Sequence, residues 1–120
     1  MRNLFCIRAK VAYVYEAQAK PNTSPKSGNL EIKWQRFVVD QDPPHRKFIE
    51  FTAYGENLLR ELRYVFPGDN VEVVFEIVSH SSNGRVFNTL RVDNLRRELT
   101  PENIARSKQI DKDYTEEVTI

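Results

Sequence analysis

The sequence predicts an all-β domain with one short helix: a five-stranded antiparallel barrel, the helix between strands three and four. Three observations predict it. Through much of residues 1–99 apolar and polar side chains alternate with the period of two that belongs to half-buried strands. One stretch, directly after Gly55, switches to helical spacing. Asn83-Gly84 then separates the last two alternating runs, and this pair suits the positive φ angles of a tight hairpin turn. Short connections of this kind force antiparallel neighbours, and closing a small sheet on itself removes its open edges.

The elements follow in order. Strand one, Leu4 to Tyr15, sets Phe5, Ile7, Ala9, Val11 and Tyr13 against Cys6, Arg8, Lys10, Ala12 and Val14. The segment Lys20 to Asn29 has two prolines and no large apolar side chain, which reads as a long loop. Strand two runs from about Glu31 to Asp40 around Phe37, Val38 and Val39, and stops before Pro43-Pro44. If Phe37 and Val39 point inward, Trp34 and Arg36 point out. Strand three, Arg46 to Tyr54, places Ile49, Phe51 and Ala53 on one face and Phe48, Glu50, Thr52 and Tyr54 on the other. Leu58, Leu59, Leu62 and Phe66 recur at helical spacing, and Pro67-Gly68-Asp69 ends that helix. Strand four, Asn70 to Ser79, alternates Val71, Val73, Phe75 and Ile77 with Glu72, Val74, Glu76 and Val78; strand five covers Val86 to Leu95. Thr100-Pro101-Glu102 opens a short second helix, expected to end near Gln109. Residues 111–120 show no core periodicity and read as a flexible acidic tail, so the chain divides into a barrel domain, 1–99, and an extension, 100–120.

Composition narrows the function. A chain of 120 residues with 40% hydrophobic and 29% charged residues is a single folding domain rather than a disordered chain. Cys6 is the only cysteine, which excludes an intrachain disulfide and a thiolate zinc site and suits a reducing, cytoplasmic setting. No run approaches the ~20 apolar residues of a membrane-spanning helix, and the first ten residues lack the apolar core of a secretion signal. Residues 1–99 hold 15 Lys/Arg against 12 Asp/Glu and residues 100–120 hold 3 against 5, a weakly basic body with an acidic end. His45 with Asp40 and Asp42 lacks a third strong ligand, so no metal and no cofactor are expected. There is no glycine-rich phosphate cradle, zinc-protease histidine pair or nucleophile elbow, and the chain reads as a non-enzyme.

Four stretches carry a resemblance: Trp34-Gln35-Arg36-Phe37-Val38-Val39, Ile49-Glu50-Phe51-Thr52-Ala53-Tyr54-Gly55, Pro67-Gly68-Asp69-Asn70-Val71-Glu72-Val73 and Asn83-Gly84-Arg85-Val86-Phe87. On these, residues 1–97 resemble the small bacterial and phage single-stranded DNA-binding proteins of the OB-fold, a five-stranded, partly open barrel that binds through its second and third strands and flanking loops. The resemblance implies single-stranded DNA on the outer face of those strands and recruitment of replication or recombination proteins by an acidic tail. Such tails close on Pro-Phe after a run of acids, whereas this chain ends Glu116-Glu117-Val118-Thr119-Ile120.

Binders of single strands combine cations for the backbone with aromatic platforms for bases. The candidate residues are Lys33, Trp34 and Arg36 on strand two, Arg46, Lys47, Phe48 and Tyr54 on strand three, and Arg85, Phe87 and Arg91 on the last hairpin. Residues 85–97 also concentrate Arg85, Arg91, Arg96 and Arg97 against the single acid Asp93. The bland alternative is core packing for the rings and ordinary solvation for the cations. The function expected is largely sequence-independent single-stranded DNA binding in replication, recombination or repair. The alternatives are a protein-interaction adaptor of a replication complex and a single-stranded RNA binder. Val74 and Val78, on the polar side of strand four, suggest a homo-oligomer contact.

Overall fold

The computed structural model describes residues 2–23, 30–41 and 47–118. Six strands and two helices form in the order β1 (Phe5–Val14), β2 (Gln18–Pro21), β3 (Glu31–Gln41), β4 (Lys47–Tyr54), α1 (Glu56–Leu62), β5 (Asn70–Ser82), β6 (Arg85–Arg97) and α2 (Pro101–Val118). Five strands close a ring in the order β1, β5, β6, β4, β3 and back to β1. All neighbours are antiparallel except β4 and β6, which meet in a parallel register at Thr52 and Arg91. Six strands form where five were expected, and the first helix follows the fourth strand in chain order rather than the third, because the short β2 adds a strand ahead of it. The additional strand, β2, overlaps the start of the expected loop at Lys20 and Pro21. It continues the β1 side of β3: residues Lys10–Val14 pair with Phe37–Asp40, and after a break Gln18–Pro21 pair with Glu31–Trp34. Residues 24–29 and 42–46, which include most of that expected loop, Arg46, His45 and the Pro43-Pro44 stop, lie outside the described residues.

Alternation builds the core where it is unbroken. Val11, Phe37, Val39, Phe51, Ala53, Val71, Val73, Phe75, Val92 and Leu95 are buried inside the ring. Phe51 is its pivot, with ring centroids 5.5 Å from Phe37 and 5.0 Å from Phe75. Two bulges interrupt the alternation: the β1–β3 register slips at Ala12, between Val11 and Tyr13, and the β5–β6 register slips at Asp93. The first overturns the expected side of Tyr13. One extra residue shifts every later side chain to the opposite face, so Val14 pairs with the buried Phe37 while Tyr13 pairs with Val38 and is exposed.

Helix α1 is shorter than its leucine spacing suggests. Leu62 and, just beyond the helix, Val65 are buried at one end of the ring, whereas Phe66 is exposed and lies under the Arg106 guanidinium at 4.3 Å. Helix α2 begins at the expected cap: Thr100 Oγ1 accepts from the Asn103 N–H at 3.2 Å, and Asn103 Oδ1 accepts from the Thr100 N–H at 2.8 Å. It does not end near Gln109 but continues to Val118. Its docking is polar and cationic: Arg106 pairs with Asp69 at 2.5 Å, Arg97 bonds Ser107, Tyr64 bonds Asp111, and Arg63 lies 4.5 Å over the Tyr114 ring. A search for apolar periodicity misses a helix held this way. No helix among the described residues is long and apolar enough to cross a membrane.

Candidate nucleic-acid interface

The parity of β3 builds the site. With Phe37 and Val39 buried, Trp34, Arg36, Val38 and Asp40 face outward, and antiparallel pairing sets Tyr54, Thr52, Glu50 and Phe48 of β4 directly opposite them. Trp34–Tyr54 and Asp40–Phe48 mark the two ends of this outer face. Phe48 is 64% exposed and Tyr54 43%. Between β3, β4 and β6 runs an open groove of about 890 Å³, lined by Trp34, Arg36, Phe48, Glu50, Tyr54 and Tyr15 among others, and reaching Ile49 and Leu90. The Trp34 indole N–H is buried with no hydrogen-bond partner among the described residues, so what Trp34 offers the groove is ring surface rather than its donor.

The groove carries mixed charge. Among the described lining residues Arg36 is the one cation, set against Glu16 and Glu50, with Arg36 Nε 3.8 Å from Glu50 Oε1. Aromatic surface therefore dominates positive charge here.

Solved structures with a similar fold are numerous. A mitochondrial single-stranded DNA-binding protein from S. cerevisiae matches at TM-score 0.60 and 14% identity, over 81% of this chain and 96% of that one. The chain has the fold of the single-stranded DNA-binding proteins. A single-stranded DNA-binding domain from a Synechococcus protein (TM-score 0.56, 14% identity, 80% of this chain and 94% of that one) and a small single-stranded DNA-binding protein from Streptomyces coelicolor (TM-score 0.50, 13% identity, 82% and 96%) share the OB-fold layout. The sequence matches no protein-family profile and no curated protein.

On this OB-fold the expected site residues separate into groups. Trp34, Arg36, Phe48 and Tyr54 meet in the groove. Lys33 does not: adjacent residues of a strand face opposite ways, and its ammonium lies on the far side of β3, 2.7 Å from the Glu56 carboxylate of α1. That contact holds the Lys33 ammonium pKa above, and the Glu56 carboxyl pKa below, their ordinary values. Lys47 is exposed at the start of β4 with the parity of Ile49 and Phe51. Arg46 lies outside the described residues. Arg85 and Phe87 sit on the exposed end of the β5–β6 hairpin, where Phe87 stacks on His80 at 5.6 Å and Arg85 lies 5.8 Å over Phe87. Arg91 is outside the groove lining and bonds Glu76.

The arginine-rich run 85–97 is likewise dispersed. Arg91 faces Glu76, Arg96 pairs in register with Glu72, and Arg97 turns to Tyr64 and α2. Among the described residues no three His, Cys, Asp or Glu side chains are grouped to hold a metal.

Two residues at the site, Tyr15 and Lys20, are absent from the candidates the sequence supplies. Tyr15 lines the groove and packs edge-on against Tyr13 at 4.7 Å, and Lys20 reaches from β2 to within 5.8 Å of the Trp34 ring centroid. Tyr13-Val14-Tyr15 at a strand end was the available signal, hidden because the bulge at Ala12 reverses its parity.

Proposed function

We infer that the chain binds single-stranded DNA, largely without sequence preference, by stacking unpaired bases on Trp34, Tyr54 and Phe48 in the groove outside β3 and β4. The observation that carries the reading is the outward placement of these three rings along one open groove, supported by an OB-fold whose solved neighbours are single-stranded DNA-binding proteins. Every base has a π-face, so such a platform is tolerant of sequence. The chain would act on single strands exposed in replication, recombination or repair.

Fluorescence anisotropy with a labelled oligothymidine tests it. The native chain binds oligothymidine and discriminates against duplex DNA, and the Trp34→Ala, Phe48→Ala double variant loses that binding while staying folded. Undiminished binding by the double variant would remove the platform. A parallel RNA strand reports any preference set by the 2′-hydroxyl.

A further inference from the structure

Among the described residues the aromatic groove is lined by one arginine and two glutamates. A single strand carries a negative charge at every nucleotide, so a strand longer than the groove needs cations elsewhere. The reverse side of the same ribbon supplies them.

Strand β2 pairs with β3 through Gln18–Trp34, Ala19–Lys33 and Lys20–Ile32, and successive residues alternate between the two sides of this ribbon. Trp34 lines the aromatic groove. Lys33 and Ala19 line a second groove of about 720 Å³, bounded by α1 and by Tyr114 of α2. Lys33, Arg60 and Arg63 stand there against one carboxylate, Glu56, which Lys33 already holds. Among the described residues neither Arg60 nor Arg63 forms an ion pair and both are exposed, Arg63 resting 4.5 Å over the Tyr114 ring with its charge unneutralised. Cations with a single ring, Tyr114, beneath Arg63 thus lie behind a ribbon whose front has several rings with few cations. The wall between is thin: Gln18 lines both grooves, and the ribbon shows the second groove only the short side chains of Ala17 and Ala19 beside Lys33 and Gln35. Lys20, over Trp34, adds a positive charge at the crossing.

We propose that a single strand leaving the aromatic groove crosses β2 at Gln18 and continues through the second groove, with its phosphates on Arg60 and Arg63. This rests on the aromatic groove being a single-strand site. Continuity through Gln18 favours the same nucleic-acid backbone over a separate acidic peptide.

The test compares oligothymidines of ~5 and ~20 nucleotides, one near the lower end of the site size of one OB-fold and one beyond its upper end. The Arg60→Gln, Arg63→Gln variant keeps native affinity for the short strand. It loses affinity for the long one, and its slope of log affinity against log salt becomes shallower by about 1.4, two single-strand phosphate contacts. Ala19→Phe, which fills the groove without changing charge, weakens the long strand selectively as well. Native-like binding of the long strand by both variants overturns the proposal. So does equal weakening of both lengths, which would place the arginines' effect on the aromatic groove. If the native chain binds neither length, the underlying single-strand reading fails, an outcome distinct from either of these.

Discussion

Trp34 of β3 and Tyr54 of β4 stand directly opposite each other on the outer side of the ring, a cross-strand pair whose side chains share one edge of the groove. Each ring offers a base-sized face, and stacking contributes roughly 1–3 kcal/mol per base. Trp34→Ala and Tyr54→Ala are each expected to weaken oligothymidine binding by roughly 5- to 150-fold. As neighbours they couple, so the double variant loses less than the product of the single effects. Anisotropy titrations measure this, and additive losses would mean that the two rings act on separate bases.

Gly55 follows Tyr54 with φ 95° and ψ 159°, a region closed to side-chain-bearing residues. Its N–H donates to the Lys33 carbonyl at 3.0 Å, tying the start of α1 to β3. A methyl group there would meet open space, so Gly55→Ala pays a backbone cost alone, about 1–3 kcal/mol. Urea denaturation reads it. A variant as stable as the native chain would show that the turn relaxes into another conformation.

Phe51 and Phe48 lie three residues apart on β4 with opposite duties. Phe51 is fully buried between Phe37 and Phe75, and Phe51→Ala should destabilise the fold by about 3–5 kcal/mol. Phe48→Ala removes an exposed ring and should shift stability by no more than ~0.5 kcal/mol while weakening oligothymidine binding. Thermal melts paired with binding curves separate the two, and a large stability loss in Phe48→Ala would mark it as a packing residue.

Glu76 on β5 accepts from Arg2 at 3.1 Å and also from Arg91, and these bonds hold its carboxyl pKa below the ordinary value. A depressed folded-state pKa contributes stability that is present above the unfolded carboxylate value and is lost as pH falls through the folded one. Acid should therefore loosen the tie between Arg2 and the β5–β6 hairpin. Glu76→Gln should flatten the acid limb of the stability profile below about pH 4.5, the carboxyl's ordinary value. Melting temperatures from pH 6 to pH 3 check this, and superimposable native and variant profiles would show that the ion pairs contribute nothing.

Much of the framework was legible in the chain. Alternation marked β1, β4 and β5, Asn83-Gly84 marked the hairpin and with it β6, with both turn residues at positive φ, and Thr100 marked the α2 cap. The side of Trp34 and Arg36 followed once Phe37 and Val39 were assigned to the core. The legible part of the site was the part sharing a strand with strong core residues.

The rest depended on partners distant in sequence. One inserted residue at Ala12 moved Tyr13 outward. Lys33, adjacent to Trp34, entered a different groove with Glu56, and the arginines of 85–97 scattered among Glu76, Glu72 and α2. Helix α2 found its full length through Arg63, Arg97 and Arg106. The sequence by itself determined which residues form strands and which of their faces seek burial, because hydrophobic alternation is a local property of consecutive side chains. Only the tertiary structure decided which rings and charges share a surface, because pairing register and strand closure bring them together across the chain and apolar periodicity encodes neither.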